Sequence, residues 1–175
     1  MKRGLTVLVA AGMLLGAQAL SAQAKLGIGG GLTMPTGDYK DADNSGFHGT
    51  ANVEFPAGPV AIRVEGLYSQ TNHKNGFDGN TKIIGGGGAV VYHFKVPGMV
   101  TPYVLGSVGM YNAKITVPSV GFDSSETKFG FGVGGGVNLA LSTVAVFAEI
   151  RYLSVATSGS STAFIPITVG VRFGL

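Results

Sequence analysis

The chain has 175 residues, 30 of them glycine, with no cysteine and a formal net charge of +3. The lack of cysteine excludes a disulfide framework and thiol chemistry, and a glycine-rich chain that is still 45% hydrophobic is no disordered linker. Lys2 and Arg3 carry two of the positive charges; without them ten basic residues face nine acidic ones, which does not argue for nucleic acid.

Met1, Lys2 and Arg3 open the chain, and Leu5 to Leu20 is an uncharged apolar run. It closes on small residues, with Ala22 and Ala24 in an A-x-A arrangement. Basic start, apolar run and small-residue site read as a secretory signal peptide. The run is shorter than the ~20 residues of a spanning helix. A signal peptide over 1–24 is expected, cut between Ala24 and Lys25. Residues 25–175 are then one domain's length.

Apolar residues alternate with small or polar ones from there on. Leu26, Ile28, Leu32 and Met34 form the first such series, then Phe47, Ala51, Val53 and Phe55. Val60, Ile62, Val64 and Tyr68 follow, then Ile84, Val90, Tyr92 and Phe94. Residues 100–111 are apolar on both parities, so their facing stays open. Phe129, Phe131, Val133, Val137 and Leu139 make the sixth series, and Val144, Val146, Ala148, Ile150 and Tyr152 the seventh. Ile165, Ile167, Val169, Val171, Phe173 and Leu175 end the chain in strict period two, a strand with one greasy face. No helical period is convincing, and no later stretch approaches a spanning helix. Eight strands at this spacing predict an all-β, eight-stranded antiparallel transmembrane β-barrel, an up-and-down meander.

Three expected connections are tight: Pro56 to Pro59, Lys95 to Met99 and Ala140 to Thr143. Four are longer, about 35–46, 69–81, 112–126 and 154–162, and rich in turn formers. Asp38, Asp41, Asp43, Asp78 and Asp123 all fall in them. Short turns at one end and long polar loops at the other is the outer-membrane pattern, with the short side in the periplasm.

Glu54, Arg63, Glu65, Lys82, Lys128, Glu149, Arg151 and Arg172 are expected on the face opposite the Phe, Val and Ile series. An arginine facing lipid near the midplane costs about 2–4 kcal/mol, so these charges are expected inside, paired. An eight-stranded lumen is only wide enough for side chains, and glycines on the inner face make room for the long ones. Aromatics near strand ends, Tyr103 and Tyr111 among them, are expected in interfacial girdles.

Pro102-Tyr103-Val104 with Gly106 and Gly109, the run Phe129 to Gly136, the segment Phe147 to Tyr152 and the terminal Val169 to Phe173 resemble the small OmpA/OmpX-like outer-membrane β-barrel family. The resemblance covers nearly all of residues 25–175. It implies assembly by the barrel-assembly machinery, guided by a terminal aromatic. Here Phe173 is that residue, followed by Gly174 and Leu175.

Candidate chemistry is thin. Gly130, Gly132 and Gly135 match G-x-G-x-x-G, but alternation continues to Leu139 where a dinucleotide site needs a helix. Asp41, Asp43, Ser45 and Gly46 match the first half of a calcium loop, yet Asn52 stands where its acidic twelfth ligand belongs. The loop reads as solvated. His48 and His93 point inward by parity, His73 is in a loop, and no Ser/His/acid set stands out. No enzyme activity, cofactor or metal is expected. The expected function is that of an integral outer-membrane barrel, structural or surface-interacting through its long loops. Outer-membrane lipid, lipopolysaccharide and an extracellular ligand are its expected partners. A narrow channel, a periplasmic lipocalin-like carrier with reversed faces and a lipid-modifying barrel enzyme are the rivals.

Overall fold

The computed structural model describes residues 24–74, 79–117, 122–157 and 160–175; the expected signal peptide, but for Ala24, lies outside them. The strands are β1 (Lys25–Thr36), β2 (Gly46–Ala57), β3 (Val60–Asn72), β4 (Asn80–His93), β5 (Val100–Val117), β6 (Phe122–Leu141), β7 (Val144–Thr157) and β8 (Ser160–Gly174). A short helix, α1 (Asp38–Ala42), stands between β1 and β2. Each strand pairs antiparallel with the next, and β8 pairs with β1, so eight strands close into a barrel. The closing register sets Leu26 beside Phe173 and Ile28 beside Val171. Closure removes every sheet edge.

Period two sorts the residues. Ile28, Leu32, Val64, Ile84, Phe131 and Val169 point out, each more than half exposed. A continuous apolar band of this kind needs lipid, not water. Ten strand residues tilted ~40° rise about 25 Å, the height of a lipid-facing band. The carrier reading required this series inside, and the structure turns it out. The ambiguous stretch resolves: Tyr103, Leu105, Ser107 and Tyr111 are buried inside, while Val104, Val108 and Met110 face out. Tyr103 and Tyr111 are therefore no girdle residues. Phe47 lies against Tyr68 (centroids 6.5 Å apart) and Tyr92 meets Phe94 edge to face (5.1 Å), one pair toward each end.

The inner face is roomy only because it lacks side chains. A Cβ on Gly134 would lie 2.5 Å from Cγ of Arg151, and one on Gly136 would lie 2.6 Å from the Tyr103 hydroxyl. Glycine there lets the large inner groups lie flat against the neighbouring strand.

The short-turn end carries both terminal strand ends and tight connections, such as Gly58-Pro59 and Ser142-Thr143. The tall end differs from expectation. β5 and β6 run to 18 and 20 residues, so most of the expected loop 112–126 is hairpin. Likewise β7 and β8 reach Thr157 and Ser160, leaving little of the loop expected over 154–162. Cross-strand pairing carries polar residues in such extensions, beyond the reach of the hydrophobic pattern.

Candidate functional site

Inside the barrel, six side chains make a ladder in which carboxylates alternate with arginine or histidine. Glu65 and Arg63 come from β3, Arg151 and Glu149 from β7, Glu54 from β2 and His93 from β4. Arg151 grips Glu65 through both terminal nitrogens and reaches Glu149 Oε1 from Nε (2.9 Å) and Nη2 (2.5 Å). Arg63 crosses from the other side, donating from Nη1 to Glu149 Oε2 (2.7 Å) and from Nη2 and Nε to Glu54 Oε2 (2.9 and 3.1 Å). Glu54 Oε1 lies 3.0 Å from Nε2 of His93. The Tyr103 hydroxyl donates to Glu149 Oε2 at 2.8 Å. Each arginine lies between two carboxylates, and Glu149 serves both arginines. Breaking a buried pair of this kind leaves an uncompensated charge, which is far costlier than the pair's net worth.

Arg172, from β8, stands at the lower end. Its Nη1 donates to Asn138 Oδ1 (2.6 Å) and is 3.8 Å from Glu54 Oε2. Its guanidinium sits over the rings of Phe147 (4.7 Å) and Tyr103 (5.8 Å).

Two expected members are elsewhere. Lys82 is exposed on the outer face, where its parity matches Ile84 and Val90, and its Cα neighbours are Gln70 and Lys114. It stands near the tall end, where an outward lysine costs only about 0–1 kcal/mol. Lys128 has inner parity but lies above the ladder, 3.6 Å from Glu126.

Above the ladder the lumen changes character. His48 bonds Thr168 through Nε2 (2.9 Å) and lies 3.2 Å from Thr33 through Nδ1. Neither ring nitrogen meets a carboxylate there, so this is no catalytic relay. Tyr39, Ile83, Tyr111, Leu153, Val155 and Phe164 then form an apolar cluster under the tall mouth. Between Glu65, Arg151, Tyr111 and Leu153 lies a cavity of about 20 Å³, room for about one water.

The tall mouth is covered by α1. Tyr39 reaches down, edge-on to Phe164 at 6.4 Å. Its hydroxyl donates to Thr71 Oγ1 (2.6 Å), and Thr71 donates to Asp43 Oδ2 (2.5 Å). Burial pushes the Tyr39 phenol well above its ordinary pKa. Asp43 Oδ1 is 3.5 Å from Nε2 of His73, the same nitrogen that lies 3.3 Å from Thr81 Oγ1. Asp43 is buried while Asp41 is exposed, and among the described residues no group of three His, Asp or Glu could hold a metal. The backbone pins the loop through Asn44 N–H to Asn72 O (2.8 Å) and Lys74 N–H to Ala42 O (2.9 Å).

Sequence reasoning did not find Tyr103 as a partner of Glu149, nor the Tyr39–Thr71–Asp43 latch. For Tyr103 a signal existed, since it shares parity with Leu105 and Gly109. The latch joins residues 28 or more apart in sequence, and nothing local marks it.

Comparison with known proteins places this geometry. Residues 6–173 match the model of the outer membrane protein β-barrel domain. Neisserial surface protein A superposes with a TM-score of 0.72 at 19% identity, covering 87% of this chain and 97% of that one. A major outer membrane protein from Thermus thermophilus gives 0.55 at 13% identity, over 87% and 99%. Ail, the attachment invasion locus protein of Yersinia pestis, in complex with the heparin analogue sucrose octasulfate, gives 0.50 at 20%, over 86% and 98%. At these identities the likeness is one of fold. No curated protein matches the chain.

Proposed function

The chain belongs to the outer-membrane β-barrel family, and from that premise we propose a non-enzymatic barrel whose work is structural or done at the cell surface by its tall-end loops. It resides in the outer membrane. The observation that carries the reading is the filled middle of the lumen, where the ladder and the apolar cluster cross the barrel and the cavity beside Glu65 and Arg151 measures about 20 Å³. Such a barrel offers no solute path, so its exchange with the surroundings falls to its ends. The tall end has the richer surface. Clefts of about 420 and 550 Å³ flank α1, the first lined by Tyr39, Asp41 and His73, the second by Lys40, Asn44 and Lys74. A surface ligand would engage these groups, while lipid and lipopolysaccharide surround the outward band. The channel reading requires the ladder to move aside.

In this orientation the short turns face the periplasm. Ser45→Cys and Gly58→Cys test it, since both positions are exposed. An impermeant thiol reagent on whole cells should label Ser45→Cys and spare Gly58→Cys. The reverse pattern would invert the barrel.

Phe173, pointing outward beside Leu26 and Val144, is proposed as part of the signal read by the assembly machinery. Phe173→Ala should lower the folded fraction in outer-membrane extracts, seen as loss of the heat-modifiable band. An unchanged folded fraction would place the signal elsewhere.

A further inference from the structure

The short-turn mouth opens into a cavity of about 480 Å³ lined by Lys25, His93, Thr101, Asn138 and Arg172. Arg172 stands apart from the other two lumen arginines. Arg63 and Arg151 are each held by two carboxylates. Arg172 is 3% exposed, and among the described residues its Nε and Nη2 have no hydrogen-bond partner. Among the described residues its hydrogen-bond acceptor is the neutral Asn138 Oδ1. The carboxylate nearest to it, Glu54 at 3.8 Å, is already bonded by Arg63 and His93. A buried guanidinium with two unmatched donors calls for a missing acceptor.

We propose that this mouth binds a small oxyanion, a phosphate or carboxylate group, on the Nε–Nη2 edge of Arg172. The rings of Phe147 and Tyr103 hold the face of the guanidinium by cation–π contact and leave its edge for hydrogen bonding. That edge presents two parallel N–H groups, the fork that matches two oxygens of one anion. Solvent does not reach either donor, so binding turns the edge toward the cavity on the flexible arginine stem. The exposed ammonium of Lys25 lines the same cavity and attracts the anion to it. Glu54 is the one carboxylate among the lining residues, and Arg63, His93 and Arg172 all lie against it. The anion is either free in solution or the headgroup of an anionic lipid.

The test uses ¹⁵N-labelled protein in maltoside micelles, a detergent free of phosphate. Inorganic phosphate is titrated in one arm and phosphatidylglycerol is doped into the micelles in the other, each against sodium chloride of equal ionic strength. The Arg172 Nε–H signal should shift saturably, while the Arg63 and Arg151 signals stay put. A shift with phosphate identifies a free oxyanion, and one with the lipid alone identifies a headgroup; either supports the site. In Lys25→Gln the midpoint should rise several-fold. In Arg172→Lys the accompanying shift of the Asn138 side-chain amide should be lost or need at least tenfold more phosphate. No saturable shift in either arm, or the same shift with chloride, overturns the proposal. Should Arg172→Lys fail to fold, the unmodified protein and Lys25→Gln still decide it.

Discussion

Glu149 is the residue on which the lumen turns. It accepts hydrogen bonds from Arg63, Arg151 and Tyr103 at once. Removing it strips both arginines of a partner, and truncating a buried pair costs about 3–5 kcal/mol. Glu65 serves Arg151 alone, and Arg151 keeps Glu149 when Glu65 is lost. Glu65→Ala should therefore cost less, about 1–3 kcal/mol. Urea unfolding of the two variants in lipid vesicles checks the ranking. Equal losses below about 1 kcal/mol would mean that the ladder is hydrated and loose. Parity was enough to set Glu54, Arg63, Glu65, Glu149, Arg151 and Arg172 on the inner rank, where they stand. It also carried the answer for Lys82, two residues from Ile84, which grouping by charge obscured. Which acid meets which base was not legible, because the partners lie on strands up to 86 residues apart in sequence.

Among the elements, α1 and its loop show what period two cannot. The five-residue helix has no apolar repeat to announce it. Its buried Tyr39 closes the tall mouth through Phe164 and Thr71. This latch should be pH-dependent. Burial raises the Tyr39 pKa in the folded loop above the ordinary tyrosine value, about 10. The released loop then loses its proton first, so the latch is intact below about pH 10 and weakens as pH rises beyond it. Limited proteolysis at exposed Lys40 should accelerate above that pH. Tyr39→Phe, which keeps the ring and drops the ionisable hydroxyl, should remove the pH dependence. An equal alkaline rise in both proteins would contradict the latch. The strands themselves were legible wherever one face met lipid, as in Ile165 to Phe173. They ran longer than expected at the tall end, where Asn112 bonds Ser125 and Thr127 across β5 and β6 on the face opposite Tyr111, Ala113 and Ile115.

At the scale of the whole molecule, the barrel is two mouths with a closed middle. The outer band answers to lipid and the inner rank to charge pairing. Glycine separates the two demands by letting Tyr103 and Arg151 lie against the wall. A lumen blocked by the ladder should not conduct, and planar-bilayer recording reads this out. Purified protein in planar bilayers at neutral pH should show no steady large conductance. Glu65→Ala combined with Glu149→Ala, which frees Arg63 and Arg151, should raise leakage. A stable, large, ion-selective conductance in the unmodified protein would instead make the barrel a channel.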